Sequence, residues 1–210
     1  SDPQFSGPVG YEARFFSDDG EVQHSLYSLP KWQWETESSN FTVELFGRVD
    51  SEDDERSHAD IREATWLYVT NDWEVKPGIG KVFWGVTETL HLVDIINQTD
   101  AVEAIDGEEK LGQPMVQFTV IRDWGILDLF VLPYFRERTF PGEDGRLGGP
   151  FVVETDEAQY ESGAEEYHTD FAIRYSHYLG DWDFGLSYFE GTNRDPQLRV
   201  VPISLTEVEL

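Results

Sequence analysis

The stretch LGDWDFGLSYFEG, residues 179–191, alternates between two kinds of side chain. Trp182, Phe184, Leu186 and Tyr188 are large, whereas the residues between them are acidic or small. A period of two predicts a β-strand, because successive side chains of a strand point to opposite faces of its sheet. A soluble sheet would turn the large face toward a core. A membrane barrel would turn it toward lipid and leave the small, polar face toward a wet interior.

Composition indicates a folded, acidic protein. The 210 residues suffice for one sizeable domain, and they carry a formal charge of −27 together with 14% aromatic residues. High charge with few aromatics is typical of disorder, so the aromatic content favours a folded body with acidic loops. The chain has no basic stripe for nucleic acid, no cysteine for disulfides, and no apolar run long enough for a membrane helix.

The opening pattern recurs wherever Asp-Trp ends one strand-like run and begins another. NDWEVKPGIG begins at Asn71, RDWGILDLFVL at Arg122 and GDWDFGLSY at Gly180. Each Asp-Trp predicts a hairpin with a tight turn and a Trp just after it. The segment ESSN, residues 37–40, predicts a fourth turn without that signature.

Short and long connections alternate along the chain. Segments 51–59, 85–113 and 137–167 are long, whereas the hairpin turns are short. Outer-membrane barrels alternate in this way, and their tilted strands need about 9–11 residues to cross a bilayer. We therefore predict an all-β, antiparallel, up-and-down transmembrane barrel, or part of a larger one, with long acidic external loops. The predicted strands are 9–17, 24–35, 41–50, 59–70, 72–83, 114–122, 125–136, 167–179, 182–191 and 197–206.

The Trp residues after the turns would lie at one height of such a barrel. Membrane barrels carry aromatic girdles at both interfaces, so Trp73, Trp124 and Trp182 are predicted to form a girdle on the periplasmic side. The alternative is a set of ordinary hairpins with each Trp in a core, which would not explain the alternating loop lengths.

Charged residues recur on the face opposite the large side chains. Phe171, Ile173 and Tyr175, for example, alternate with Ala172 and Arg174. A hydrated interior suits such charges, since a dry core would impose a large desolvation cost. The predicted pore-lining residues are Glu44, Arg48, Glu74, Lys76, Asp128, Asp170 and Arg174.

Residues 78–114 contain the most distinctive motif, in which a strand-like run is followed by the partly helical pattern TETLHLVDIIN and by acidic turns. The motif resembles a porin-like outer-membrane family of proteobacteria with no settled function, in which Gly-basic-x-x-Trp-Gly-x-Ser/Thr precedes Asp/Asn-x-x-Asn-x-x-Asp. The matching positions are Gly80, Lys81, Trp84, Gly85 and Thr87, followed by Asp94, Asn97 and Asp100.

The resemblance covers roughly residues 59–192 and includes LFVLPYFRERTFPGEDGRL, residues 129–147. It implies a β-barrel in the bacterial outer membrane that acts as a passive channel or a scaffold. Related chains are longer, and barrel proteins usually end in a strand that closes on Phe or Trp, whereas this chain ends LTEVEL. We therefore expect residues 1–210 to be one barrel domain, either incomplete at its C-terminus or unusually short.

The sequence leaves two interpretations of residues 85–113. The segment could fold into the lumen, where its carboxylates would favour cations. It could equally be a surface loop with a helical turn packed through Leu90, Val93 and Ile96. The predicted constriction residues are Glu88, His91, Asp94, Asn97 and Asp100, with Glu103 and Asp106 beside them.

Motifs for catalysis and metal binding are missing from the sequence. The five histidines form no His-Glu-x-x-His pair, no Gly-x-Ser-x-Gly is present, and the acidic stretches DDGEVQH and DSEDDERSHAD lack EF-hand spacing. We expect no enzyme activity, no cofactor and no metal centre. The expected partners are the lipid bilayer and lipopolysaccharide, the latter bridged by divalent cations at the acidic loops.

These observations predict a porin-like channel for passive diffusion of small solutes, with a preference for cations. The alternative from another class is a soluble, secreted β-sandwich that binds carbohydrate through its Trp and Tyr side chains. That alternative predicts aromatic residues clustered in one cleft, whereas the channel predicts a belt.

Overall fold

The structure, a computed structural model, describes residues 2–17, 20–84, 95–103, 108–143, 145 and 151–201. These residues form an all-β fold with one antiparallel sheet of eleven strands. The strands are β1 (Gln4–Ser6), β2 (Val9–Phe15), β3 (Val22–Ser28), β4 (Lys31–Glu35), β5 (Ser39–Asp50), β6 (Ala59–Val69), β7 (Trp73–Gly80), β8 (Gln113–Arg122), β9 (Gly125–Leu132), β10 (Asp170–Leu179) and β11 (Trp182–Glu190).

Helical structure is limited, within these ranges, to two single turns of 3-10 helix, Thr155–Glu157 and Glu165–Tyr167. No described helix is long and apolar enough to span a lipid bilayer.

The strands follow one another across the sheet as a meander, which confirms the antiparallel, up-and-down order. β3 and β4 lie end to end along β5, and β1 and β2 lie end to end beside them. The break between β1 and β2 falls at Pro8 and the break between β3 and β4 falls at Pro30, because proline has no N–H to donate to a strand ladder. Hydrogen bonding continues past both, since Leu29 N–H donates to Pro8 O at 3.1 Å and Leu45 N–H donates to Pro30 O at 3.0 Å.

Each predicted strand up to residue 191 overlaps an observed strand, with ends that differ by a few residues. Residues 24–35, predicted as one strand, instead form parts of β3 and β4, and β1 was not predicted. β7 ends at Gly80 rather than at residue 83, and β9 ends at Leu132 rather than at residue 136. The predicted strand 197–206 is wrong over residues 197–201, which have no strand structure. Its remaining residues lie outside the described part of the chain.

The four predicted hairpin turns are confirmed. Three of them carry Asp-Trp and join β6 to β7, β8 to β9 and β10 to β11, and the fourth joins β4 to β5. In the first, the Thr70 N–H and hydroxyl both donate to Trp73 O, at 2.9 and 2.8 Å. In the third, Gly180 has φ +62°, a left-handed conformation that glycine adopts without a steric penalty.

Two local features shape β6. Glu63 pairs with Glu44 and Ile61 with Leu45, so Arg62 has no partner on β5 and forms a bulge. A bulge re-aims the extra side chain, and Arg62 is directed into a buried site. On the other side, Gly78 of β7 approaches β6 so closely that a Cβ would lie 2.1 Å from Ala64 O.

The sheet is open, and the predicted closure into a barrel is not observed. β11 pairs only with β10, and β1 and β2 pair only with β4 and β3. No strand pairing among the described residues joins these two edges.

Candidate functional site

One face of the sheet, here called the apolar face, consists of large apolar side chains contributed by strand after strand. In β10 and β11, Ile173 lies opposite Tyr188 and Tyr175 opposite Leu186. Ile173, Leu186 and Tyr188 are exposed, with 37%, 75% and 62% of their accessible surface retained, whereas Tyr175 is half-buried. The face continues through Leu26, Trp32, Val43, Trp66, Val116, Leu129 and Phe171, all of them exposed.

The described strands all belong to this one sheet, so no second sheet covers the apolar face. Soluble monomers rarely expose contiguous apolar patches larger than about 300–600 Å². The apolar face is unusual in this respect, because it extends across the whole sheet.

Six aromatic side chains form a continuous band near the short-turn edge of the sheet. Successive ring centroids lie 5.5 to 6.2 Å apart, within the range of favourable aromatic contacts. Here called the aromatic band, they are Trp34, Phe41, Trp66, Tyr68, Trp73 and Phe118.

The predicted girdle residues all lie beside short turns. Trp73 belongs to the aromatic band. Trp124 is 51% exposed and stacks on Tyr175 with centroids 6.1 Å apart, and Trp182 is 70% exposed at the start of β11. The three side chains therefore share one edge of the sheet.

The opposite face, here called the polar face, carries the predicted pore-lining residues. Glu74, Asp128 and Arg174 lie in one row across β7–β10, since Thr119 is the register partner of both Glu74 and Asp128, and Arg174 is opposite Asp128. Asp128 accepts hydrogen bonds from Thr119 at 2.6 Å and from Gln117 at 3.0 Å.

Other predicted residues of the polar face lie around this row. Lys31 Nζ is 3.2 Å from Glu44 Oε2. The Arg174 guanidinium lies 5.6 Å from the centroid of the Trp84 ring, and Lys76, the register partner of Gln117, is half-buried.

The polar face is not uniformly hydrated. Met115, Phe130 and Leu132 are buried on it, packed with Val82, Trp84, Ile96 and Ala172 in a small apolar cluster. Trp84 contacts Phe130 edge-on with centroids 5.5 Å apart. The long-loop end of this face is therefore dry.

Two of the predicted pore-lining residues are buried in ion pairs. Asp170 is 1% exposed and accepts hydrogen bonds from Arg194 and Thr192, and it contacts His168 Nδ1 at 2.8 Å. Arg48 is 8% exposed and lies 2.7 Å from Glu103 Oε2. The expectation that both stay solvated in a wet lumen is wrong, because remote segments fold over them and supply their partners.

The 95–103 segment folds onto the polar face. Asn97 is 3% exposed; its amide donates to Gly80 O and Leu111 O at 2.8 and 2.9 Å and accepts from Val82 N–H at 2.7 Å. Asp100 is fully buried, and its backbone pairs with that of Thr139 in an isolated parallel β-bridge. The described part of this region therefore packs against the polar face, and the two interpretations of residues 85–113 stay predictions.

Three arginines hold this segment in place. Arg62 donates to Asp100 Oδ2 at 2.6 Å, and Arg48 donates to both oxygens of Glu103. Arg56 donates to Val102 O at 2.8 Å while it pairs with Asp50. Charge-assisted hydrogen bonds are about twice as strong as neutral ones, so these contacts fix the segment tightly.

Burial alone would raise the pKa of Asp100. The hydrogen bond from Thr139 and the positive charge of Arg62, with a further contribution from His58, instead hold that pKa below its usual value. Asp100 is therefore ionised at neutral pH and available to the Arg62 guanidinium. Burial also lowers the pKa of Arg194, against the raising influence of Asp170.

No protein-family model, curated protein or solved structure matches the chain. The resemblance to a porin-like family stays a prediction. The remaining constriction residues, Glu88, His91 and Asp94, and the neighbouring Asp106, lie outside the described residues. Within the described ranges, no group of three or more acidic, His or Cys side chains is arranged to hold a metal ion.

Sequence reasoning did not identify Arg56, Arg62 and Arg194 as structural residues. The chain contains only 15 Lys and Arg residues against 42 Asp and Glu. In so acidic a chain each arginine has many candidate partners. Arg56 and Arg62 flank His58 in the stretch DDERSHADIR, and that concentration of scarce cations is the signal that could have marked them.

Proposed function

We propose that this chain forms the wall of a porin-like β-barrel channel in a bacterial outer membrane. The observation that supports it is the exposed apolar face, bordered at the short-turn edge by the aromatic band. Lipid would cover this face, and the aromatic rings would lie at the interface between hydrocarbon and water, where their amphipathic character is favourable.

Strand dimensions agree with this assignment. β10 has ten residues, which at roughly 3.3 Å per residue makes a strand about 33 Å long. With a tilt of about 40°, its height is about 25 Å, the height of the apolar band in outer-membrane barrels. Soluble strands are shorter, at about 5–6 residues.

The polar face would line the lumen, and the 95–103 segment would narrow it. The open part of this face has more carboxylates than cations, which favours passage of cations. The carboxylates are Glu35, Glu44, Glu63, Glu74, Asp128 and Asp183, and the cations are Lys31, Lys76 and Arg174. The acidic long loops would bind lipopolysaccharide through divalent cations.

The alternative, a soluble carbohydrate-binding sandwich, needs a second layer over the apolar face and a cleft that gathers the aromatic side chains. The described strands form one sheet, and the aromatic band crosses β4 to β8 in a line. These features favour the channel.

Electrical recording tests the proposal. The full polypeptide, refolded in detergent and added to a planar bilayer, is expected to give discrete conductance steps with a reversal potential of cation-preferring sign in a KCl gradient. The double variant Glu74→Gln, Asp128→Asn should move that potential toward zero, whereas Glu52→Gln, in the loop between β5 and β6, should not. A protein that stays soluble without detergent and never conducts would overturn the assignment.

A further inference from the structure

His58 occupies an unusual position beneath the 95–103 segment. Its ring packs on Phe46 with centroids 5.2 Å apart, and Nδ1 lies 3.2 Å from the carbonyl oxygen of Arg56. Nε2 is buried and has no hydrogen-bond partner among the described residues. It faces two carboxylates of the segment, with Glu103 Oε1 at 3.8 Å and Asp100 Oδ2 at 4.0 Å.

The carbonyl of Arg56 determines which nitrogen carries the proton. A carbonyl oxygen can only accept, so Nδ1 must be the donor in the neutral ring. Nε2 then presents a lone pair toward two carboxylate oxygens, an arrangement without any attractive contact. A second proton, on Nε2, converts that lone pair into a charged donor that points between Glu103 and Asp100.

The charged groups around His58 have opposing effects on a second proton at its ring. The guanidinium groups of Arg62 and Arg48 lie over the Phe46 ring, 4.5 and 5.8 Å from its centroid, and their charge weakens the attraction for an imidazolium. Each of them already donates to one of the two carboxylates. The added proton faces carboxylate oxygens within 4.0 Å, and an opposite charge at this distance favours the charged form.

We propose that His58 is a proton-binding latch that tightens the attachment of the 95–103 segment to the strands as the medium becomes mildly acidic. The proton adds a charged donor to both carboxylates of the segment, and only the attached segment presents them. Attachment therefore strengthens once the medium is acidic enough to place this second proton on the ring. The consequence for conduction, a narrower lumen in acid, rests on the proposed channel function, whereas the latch itself does not.

The latch has a lower limit in pH. Asp100 has a lowered pKa when the segment is attached, so it stabilises attachment above the ordinary aspartate pKa of about 3.9. This contribution is lost as pH falls through the lowered value. The latch therefore acts only above the pH at which Asp100 gains a proton.

Hydrogen exchange of the 98–103 amides, corrected for intrinsic rates, tests the latch. Protection in the full protein should rise about tenfold between pH 7.5 and 5.5. The variant His58→Asn, which offers an amide donor to the Arg56 carbonyl but does not titrate, should show no such rise, and His177→Asn on β10 should behave like the parent. Absence of the rise in the parent, or its persistence in His58→Asn, would overturn the proposal.

Nitrogen NMR of His58 in the parent protein gives a second test that needs no variant. The neutral ring should carry its proton on Nδ1, and the Nε2–H form is incompatible with the latch. Bilayer conductance separates this proposal from the channel. If protection depends on pH but the protein never conducts, the latch proposal is supported and the channel proposal is rejected. If the protein conducts but protection does not depend on pH, the latch proposal is rejected.

Discussion

Arg62 has a defined role because of one irregularity in the sheet. The bulge in β6 leaves it without a partner on β5, and its guanidinium reaches Asp100 Oδ2 at 2.6 Å. Both side chains are almost fully buried, with 3% and 0% of their surface exposed. Removal of one partner would leave the other charge buried and unpaired, which is far more costly than the loss of an exposed pair.

The variant Arg62→Met is therefore expected to lower the free energy of unfolding by about 3–5 kcal/mol. Arg122→Met is the matched control, because Arg122 and Asp72 form an exposed pair 3.1 Å apart, and its loss should cost under about 1 kcal/mol. Urea titration monitored by Trp fluorescence measures both. Equal effects would show that burial of the Arg62 pair contributes nothing.

Gly78 is a second residue whose identity is fixed by geometry. Its φ of +134° is unfavourable for other residues, and a Cβ would lie 2.1 Å from Ala64 O. We expect Gly78→Ala to lower the free energy of unfolding by at least about 1–3 kcal/mol by separating β6 from β7. Gly47→Ala on β5, where a Cβ meets nothing within 4 Å, should be nearly neutral in the same titration. A neutral Gly78→Ala would contradict the close approach.

At the scale of elements, local pattern was enough to predict four of the hairpins and every strand but β1, although residues 24–35 were expected as one strand and form parts of two. The period of two and the Asp-Trp turns depend on residues that are neighbours in sequence, and the strands up to residue 191 follow them. The ion pairs could not be predicted in this way. Glu103 reaches Arg48 across 55 residues, and Arg194 reaches Asp170 across 24, so these contacts depend on the fold and not on local periodicity.

β11 allows a direct comparison of the two faces. Leu186 is 75% exposed on the apolar face, and its neighbour Ser187 lies on the polar face opposite Arg174. If lipid covers the apolar face, Leu186→Arg should destabilise the inserted protein by about 2–4 kcal/mol. Ser187→Lys, which also introduces a cation, should cost under about 1 kcal/mol, the size of its repulsion from Arg174 on the neighbouring strand.

Urea unfolding from lipid vesicles measures this difference. In water Leu186→Arg would also cost little, because an exposed Leu186 has no stabilising contact to lose. If both variants are equally tolerated in vesicles, the apolar face does not contact lipid.

At the scale of the whole molecule, strand direction constrains how the sheet can close. β1 and β2 form one run, β3 and β4 the next, and every later strand reverses direction. β2 and β11 therefore run the same way and cannot form an antiparallel pair. A barrel that closes with antiparallel pairs alone needs an odd number of further strands between them.

Disulfide trapping checks this prediction. Single cysteines along β2 combined with single cysteines along β11 should fail to cross-link in the reconstituted protein, because two edges that run the same way cannot form an antiparallel pair. Efficient cross-linking in a parallel register would show that the sheet closes on itself.

The most direct measurement of the central claim is the accessibility of spin labels along β11 in lipid vesicles. Labels at positions 184, 186 and 188 should collide with oxygen, which concentrates in hydrocarbon, and labels at positions 185 and 187 should collide instead with a water-soluble nickel complex. That alternation would mean that the apolar face meets lipid and the polar face meets water. Labels at positions 184 and 186 that are shielded from both reagents would mean that another protein layer covers the face, and the account would be wrong.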